Sequence, residues 1–280
     1  MLCYDCPRNC GINREKYRGF CGEGNKIRVA KIIEHFMWEE PCISGEKGAL
    51  AIFFSGCNLR CEFCQNYDIS HLGKGEYYTP KEFRDLLLSY DLSTFSCVDL
   101  ITPSHFSSLL FDALSDFDCP IPIVWNSSGY EKEDMIDSLS RVVDVFMPDL
   151  KYVDEALSLN CAKAQDYFSI ASKAILSMRK NKPKEVFKNG VLQEGVLIRH
   201  LVMPIHFKDS IKVLDFIKEK ISNPFISLMS QFTPTQNSKI KRRLLPLEYK
   251  YVLIHAQNLG LTNGYFQELE SANQLFIPQF

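Results

Sequence analysis

The sequence predicts an α/β protein: a partial (β/α)6 barrel of the TIM type with a small Cys-rich N-terminal module. Three observations carry this expectation. Six short apolar runs alternate with helical patterns from residue 46 onward. Most of these runs show little polar alternation, as strands buried on both faces do. Residues 1–45 break that rhythm, with Cys3, Cys6, Cys10 and Cys21 set in a stretch of weak hydrophobic periodicity. The expected organisation is therefore a Cys-rich module over 1–45, the barrel over 46–260, and a tail over 261–280 packed on the barrel.

The candidate strands are Ala49–Phe54, Cys97–Thr102, Ile121–Trp125, Val142–Met147, Val196–Val202 and Phe225–Ser230. Helical patterns separate them. Thr79-Pro80-Lys81-Glu82 reads as a capping box with Pro at the first helical position, followed by a stripe of Phe83, Leu86, Leu87 and Tyr90. A second stripe runs from Phe106 to Phe117, a short helix covers 131–140, and a third stripe runs from Tyr167 to Met178. Ser210 is a candidate cap for the next helix, and Pro246 opens a last one ending near Gly260. The stretch Lys180–Glu185 reads as a solvated loop. Strand–helix repeats of this kind make right-handed crossovers and a parallel sheet. Eight would close a barrel; six leave it open. Ligands then belong at the carboxyl ends of the strands.

Composition bounds the class. The chain has 280 residues, 46% hydrophobic and 24% charged, enough for a full core without metal or disulfide staples. Its net charge of −2 gives no footprint for nucleic acid or an anionic membrane. No apolar run approaches a membrane span and the N-terminus lacks a secretory pattern, so a cytoplasmic location is expected. Eleven cysteines are many for a reducing compartment, where clustered thiols bind metal or do redox work. Cys42, Cys97, Cys119 and Cys161 are scattered and read as buried small hydrophobes.

The strand Ala49–Phe54 runs into Ser55-Gly56-Cys57-Asn58-Leu59-Arg60-Cys61-Glu62-Phe63-Cys64-Gln65-Asn66. Its C-x3-C-x2-C spacing lies just past a strand's carboxyl end. Three thiolates can hold three irons of a [4Fe–4S] cluster and leave the fourth iron open, whereas an electron-transfer cluster is normally closed by four cysteines. A Zn site completed by His71 or Cys42 is the alternative on spacing alone.

This loop resembles the defining motif of the radical S-adenosylmethionine superfamily. The resemblance extends along the chain to the PflX-like branch related to pyruvate formate-lyase activating enzyme. It is carried by Cys6-Pro7-Arg8-Asn9-Cys10-Gly11, Trp38 to Gly45, Phe54 to Asn66, Thr102 to Phe106, Asn126 to Tyr130, Pro148 to Tyr152, Arg199 to Pro204, Ser227 to Gln231 and Asn263 to Leu269. It implies a [4Fe–4S] cluster on Cys57, Cys61 and Cys64. It implies S-adenosyl-L-methionine at the open iron, cleaved reductively to a 5′-deoxyadenosyl radical that abstracts hydrogen. Phe63, Asn66, Ser104, Asn126, Ser128, Asp149, Lys151, Arg199 and Met203 are the residues expected to contact the cofactor. The Gly-Gly-Glu segment that related enzymes aim at the methionine ammonium is missing, and Thr102–His105 stands in its place. Alternation along a strand keeps Arg199 and His200 from facing the pocket together. Asp149 and Lys151 also read as a structural ion pair, His105 and His200 as structural histidines, and Asn126–Tyr130 as a turn. After Met203-Pro204 the family shows Gly where this chain has Ile205. A β-branched residue is unwelcome at positive φ, so a reshaped loop is expected there.

The resemblance further implies a glycyl-radical enzyme as protein substrate and flavodoxin or ferredoxin as reductant; a small-molecule substrate stays open. Cys3, Cys6, Cys10 and Cys21 supply four thiolates, which suit Zn or a second iron–sulfur cluster, against free thiols in a loose arm. The rival to a radical enzyme is a non-catalytic iron–sulfur electron-transfer or Zn-binding protein.

Overall fold

The computed structural model describes residues 2–269. Its strands are β1 (Ile27–Phe36), β2 (Ala49–Phe54), β3 (Glu76–Tyr78), β4 (Val98–Ile101), β5 (Ile123–Ser127), β6 (Val145–Pro148), β7 (Val186–Lys188), β8 (Val191–Leu201), β9 (Phe225–Met229) and β10 (Gly264–Phe266). Its helices are α1 (Pro41–Ser44), α2 (Pro80–Leu88), α3 (Ser107–Leu114), α4 (Glu133–Leu139), α5 (Glu155–Ala162), α6 (Tyr167–Asn181), α7 (Phe207–Lys220) and α8 (Pro246–Asn258). One sheet runs in the order β10-β9-β8-β6-β5-β4-β2-β1-β3, with β7 paired to β8. From β2 to β10 every neighbouring pair on that path is parallel. The sheet stays open, with β10 and β3 at its two ends.

The six expected strands are β2, β4, β5, β6, β8 and β9. The burial of β2 shows why they read as unbroken apolar runs. Ala49, Ala51 and Phe53 pack in the interior with Val124, Val145, Met147 and Leu197. Leu50, Ile52 and Phe54 pack on the other face with Phe83 and Leu87 of α2 and Leu110 of α3. Both faces are covered, so neither carries polar residues. The capping box before α2 is present: the Glu82 N–H donates to Thr79 Oγ1 at 3.2 Å, and the Thr79 N–H donates to Glu82 Oε2 at 2.7 Å.

Several expectations need correction. Residues 27–36, within the expected Cys-rich module, form β1, which lies antiparallel to β2 and extends the sheet. The tail contributes β10 as a further parallel strand on β9; residues 270–280 lie outside the described region. Ser210 sits inside α7 rather than capping it, and His206 precedes the helix. Helix α5 was not anticipated, because its eight residues carry no periodic stripe; Asp154 caps it by accepting the Leu157 N–H at 2.8 Å. The loop after β8 is not reshaped to spare Ile205. Ile205 adopts φ +70, and its N–H donates to Glu248 Oε1 at 2.9 Å. Arg242 holds that same carboxylate at 2.7 Å through both of its terminal nitrogens.

Candidate active site

A cavity of about 270 Å³ opens at the carboxyl ends of the parallel strands. Its wall on the β2 side is the loop after that strand, which presents Cys57, Cys61, Phe63, Cys64 and Asn66. Chain reversal here depends on Gly56, at φ +77, where a Cβ would lie 2.6 Å from the Cys21 carbonyl oxygen. Asn58, almost fully buried, fixes the loop from inside by donating to the Tyr130 carbonyl at 2.7 Å. The three thiols are free. Burial pushes Cys57 up to about 11 and raises Cys61 and Cys64 as well.

The floor is a buried charged network. Arg199 of β8 donates to Glu39 Oε2 at 2.8 Å, to Asp149 Oδ1 at 3.1 Å and to Asn126 Oδ1 at 2.6 Å. Asn126 Nδ2 contacts Glu39 Oε1 at 3.2 Å and Asp99 Oδ2 at 3.3 Å. Lys151 pairs with the other oxygen of Asp149. Burial drives Asp149 up, but Lys151 and Arg199 outweigh it and hold the carboxyl below the usual range. Burial works against the Lys151 ammonium, yet Asp149 leaves its pKa raised. Glu39 is pushed up to about 7 by burial, opposed by Arg199 and reinforced by Glu40 and Asp149. Asp99, fully buried on β4, is raised well above its ordinary value by burial and then by Glu39. Two cationic side chains thus face four carboxyls, and burial together with that surplus of carboxyls pushes Glu39 and Asp99 up.

The structure brings together Cys57, Cys61, Cys64, Phe63, Asn66, Asn126, Ser128, Asp149, Lys151 and Arg199 around this one cavity. Ser128 Oγ is shielded from solvent and has no hydrogen-bond partner among the described residues. Ser104 is not brought in: it starts a 3-10 turn that swings its hydroxyl to Glu131 Oε1 at 2.7 Å. Met203 lies in the apolar core instead of on the cavity wall. Arg199 faces the cavity and His200 does not. His200 Nδ1 pairs with the Leu150 carbonyl at 2.6 Å, and burial lowers its pKa to about 4. His105 likewise pairs with the Ser55 carbonyl at 2.6 Å. Both histidines hold backbone in place. Sequence reasoning missed Glu39 and Asp99. A lone charge inside the apolar run Val98-Asp99-Leu100 was a usable signal, since unpaired buried carboxylates are rare.

Cys3, Cys6 and Cys21 are buried and Cys10 is partly so, all as free thiols. Among the described residues no three His, Cys, Asp or Glu side chains converge on a position for a single metal ion. No described helix is long and apolar enough to cross a membrane.

Fold and site together define an α/β protein with an open, largely parallel sheet and a three-thiol cavity at its strand ends. The uncharacterized protein MJ0674 of Methanocaldococcus jannaschii is 32% identical over 279 residues, covering 92% of this chain and 75% of that protein. The chain belongs to the same family. No family model matches it. Among solved structures, Streptococcus suis SuiB superposes with a TM-score of 0.53 at 15% identity over 79% of this chain. A structure of anSMEcpe with bound AdoMet superposes with a TM-score of 0.51 at 16% identity over 76% of this chain. The chain spans 50% of the SuiB chain and 61% of the anSMEcpe chain. These likenesses establish a shared fold.

Proposed function

We propose that this chain is a radical S-adenosylmethionine enzyme that holds a [4Fe–4S] cluster on Cys57, Cys61 and Cys64. The observation that carries the reading is the placement of three free thiols on one wall of the strand-end cavity. Three thiolates on one wall can each take an iron of a cluster and leave the fourth iron open. The residues present also fit S-adenosylmethionine. Ser128 Oγ offers an unused hydrogen-bonding group, and Lys151 with Arg199 offers charge for a carboxylate. Phe63 and Phe232, with ring centroids 5.5 Å apart, give the cavity an aromatic side. The shared fold with a protein solved with AdoMet bound points the same way.

When bound, cluster and cofactor supply reductive cleavage of the sulfonium and a 5′-deoxyadenosyl radical. The chain's own part is to place the reactants, tune the site and exclude water. The Asp149–Lys151 pair fixes the Lys151 ammonium at the cavity floor, and Arg199 ties β8 to β5 and to the segment before α1. The PflX-like branch, a glycyl-radical enzyme as substrate and flavodoxin or ferredoxin as reductant rest on sequence resemblance and belong to this proposal, as does the cytoplasmic location expected from the sequence pattern.

The test is spectroscopic. The iron-loaded chain, reduced with dithionite, should show an electron paramagnetic resonance signal that changes on adding S-adenosylmethionine. The Cys57, Cys61 and Cys64 to Ala triple variant should show no such change. A reduced cluster on these cysteines with a signal indifferent to S-adenosylmethionine would remove the open iron from the account and favour a closed electron-transfer cluster.

A further inference from the structure

We propose that Cys3, Cys6, Cys10 and Cys21 hold a second iron–sulfur cluster, seated against the loop that carries the first three-cysteine set. It concerns a separate set of thiols, so it stands or falls apart from the reading above.

Residues 2–26 contain no helix and no strand beyond an isolated bridge between Leu2 and Asn13. Their shape comes from turns. The Cys3 N–H donates to the Ile12 carbonyl at 2.8 Å, and the Asn9 N–H donates to the Cys6 carbonyl at 3.0 Å. So long a stretch without elements of its own is uncommon in a compact domain unless it serves a function. No disulfide staples it. A single buried thiol is adequately explained as a small hydrophobe. Four around one place are not. A Cβ on Gly19 would lie 3.4 Å from Cys21 Sγ and 3.5 Å from Cys10 Sγ, so both sulfurs face the same glycine. Cys6 lies within electrostatic reach of the other three. All four donors are thiolates, the ligand set of a closed iron–sulfur cluster; a tetrahedral Zn takes the same set, and the metal count below separates the two. Four thiolates close a cluster, leaving no open iron, so this centre is structural or electron-carrying.

Its seat is specific. The Cys21 carbonyl lies against Gly56, the residue before Cys57, so closely that a Cβ on Gly56 would clash with it. Arg8 Nε donates to the Asn58 carbonyl at 2.7 Å, and Arg60 donates to the Phe20 carbonyl at 2.7 Å. Loading the four thiols would therefore fix the backbone that the three-cysteine loop leans on.

The full chain, reconstituted anaerobically with iron and sulfide, should bind about eight iron and eight sulfide. The Cys57, Cys61 and Cys64 to Ala variant should keep about four of each, with the spectrum of a closed cluster. The Cys3, Cys6, Cys10 and Cys21 to Ala variant should also fall to about four. If that variant fails to fold, the wild-type and triple-variant counts still decide. About four iron with one zinc, or about four iron and no other metal, all lost in the triple variant, would overturn this proposal and leave the first cluster in place. Iron held by the triple variant and absent at the first site would support it while contradicting the radical reading.

Discussion

Arg199 shows how one side chain organises the site. Its guanidinium spans Glu39, Asp149 and Asn126, joining three parts of the chain far apart in sequence. Planar, always charged and rich in donors, Arg suits this position better than Lys. The upward shift of Glu39 is the titratable consequence. Burial raises its folded-state pKa to about 7, above the ordinary carboxyl value near 4.5. The folded state therefore keeps this proton to higher pH than the unfolded state does. Its contribution to stability is fully present below the ordinary value and is lost as pH rises toward 7. Urea denaturation between pH 4.5 and 8 should show that fall in wild type and a flatter profile in Glu39→Gln. Equal slopes in both would mean that Glu39 is not the protonated partner. Asp149, Lys151 and Arg199 were legible from sequence because they sit at strand ends, where function is expected. Glu39 was not, because the path from β1 into α1 delivers it, and no local pattern reports that path. Ser104 was misjudged for a related reason: its type suited the role, but the 3-10 turn sets its direction.

At the scale of elements, the buried strands were the most legible, since runs covered on both faces leave a plain apolar signature. The short edge strands were not. β3 and β7 have mostly exposed residues, and only pairing with β1 and β8 makes them strands. The loop between β8 and α7 teaches a different lesson. Ile205 occupies positive φ because Glu248, clamped by Arg242, holds its N–H. Such a conformation costs a β-branched residue about 1–3 kcal/mol. The Ile205 side chain is 57% exposed, so its removal forfeits little packing. Ile205→Gly should therefore raise stability by about 1 kcal/mol, after the extra backbone entropy of Gly. A higher urea midpoint with unchanged slope would confirm it; a lower midpoint would mean that the Ile205 contacts outweigh the strain.

For the whole molecule, the open sheet explains how one chain builds a floor, a wall and a support. The parallel strands deliver Asn126, Ser128, Asp149, Lys151 and Arg199 to one end. The loop after β2 brings three thiols across that end, and the N-terminal segment braces the loop from behind through Arg8 and the Cys21 carbonyl. The sequence conveyed the repeat and the thiol spacing, but not that β1 joins the sheet, because β1 mixes buried and exposed residues without a clean period. The central claim is that this arrangement generates a 5′-deoxyadenosyl radical. Its most direct measurement is 5′-deoxyadenosine formed anaerobically from S-adenosylmethionine and dithionite by the iron-loaded chain. Product from wild type and none from the Cys57, Cys61 and Cys64 to Ala variant is the expected result; a fully loaded wild-type chain that forms none would contradict the account.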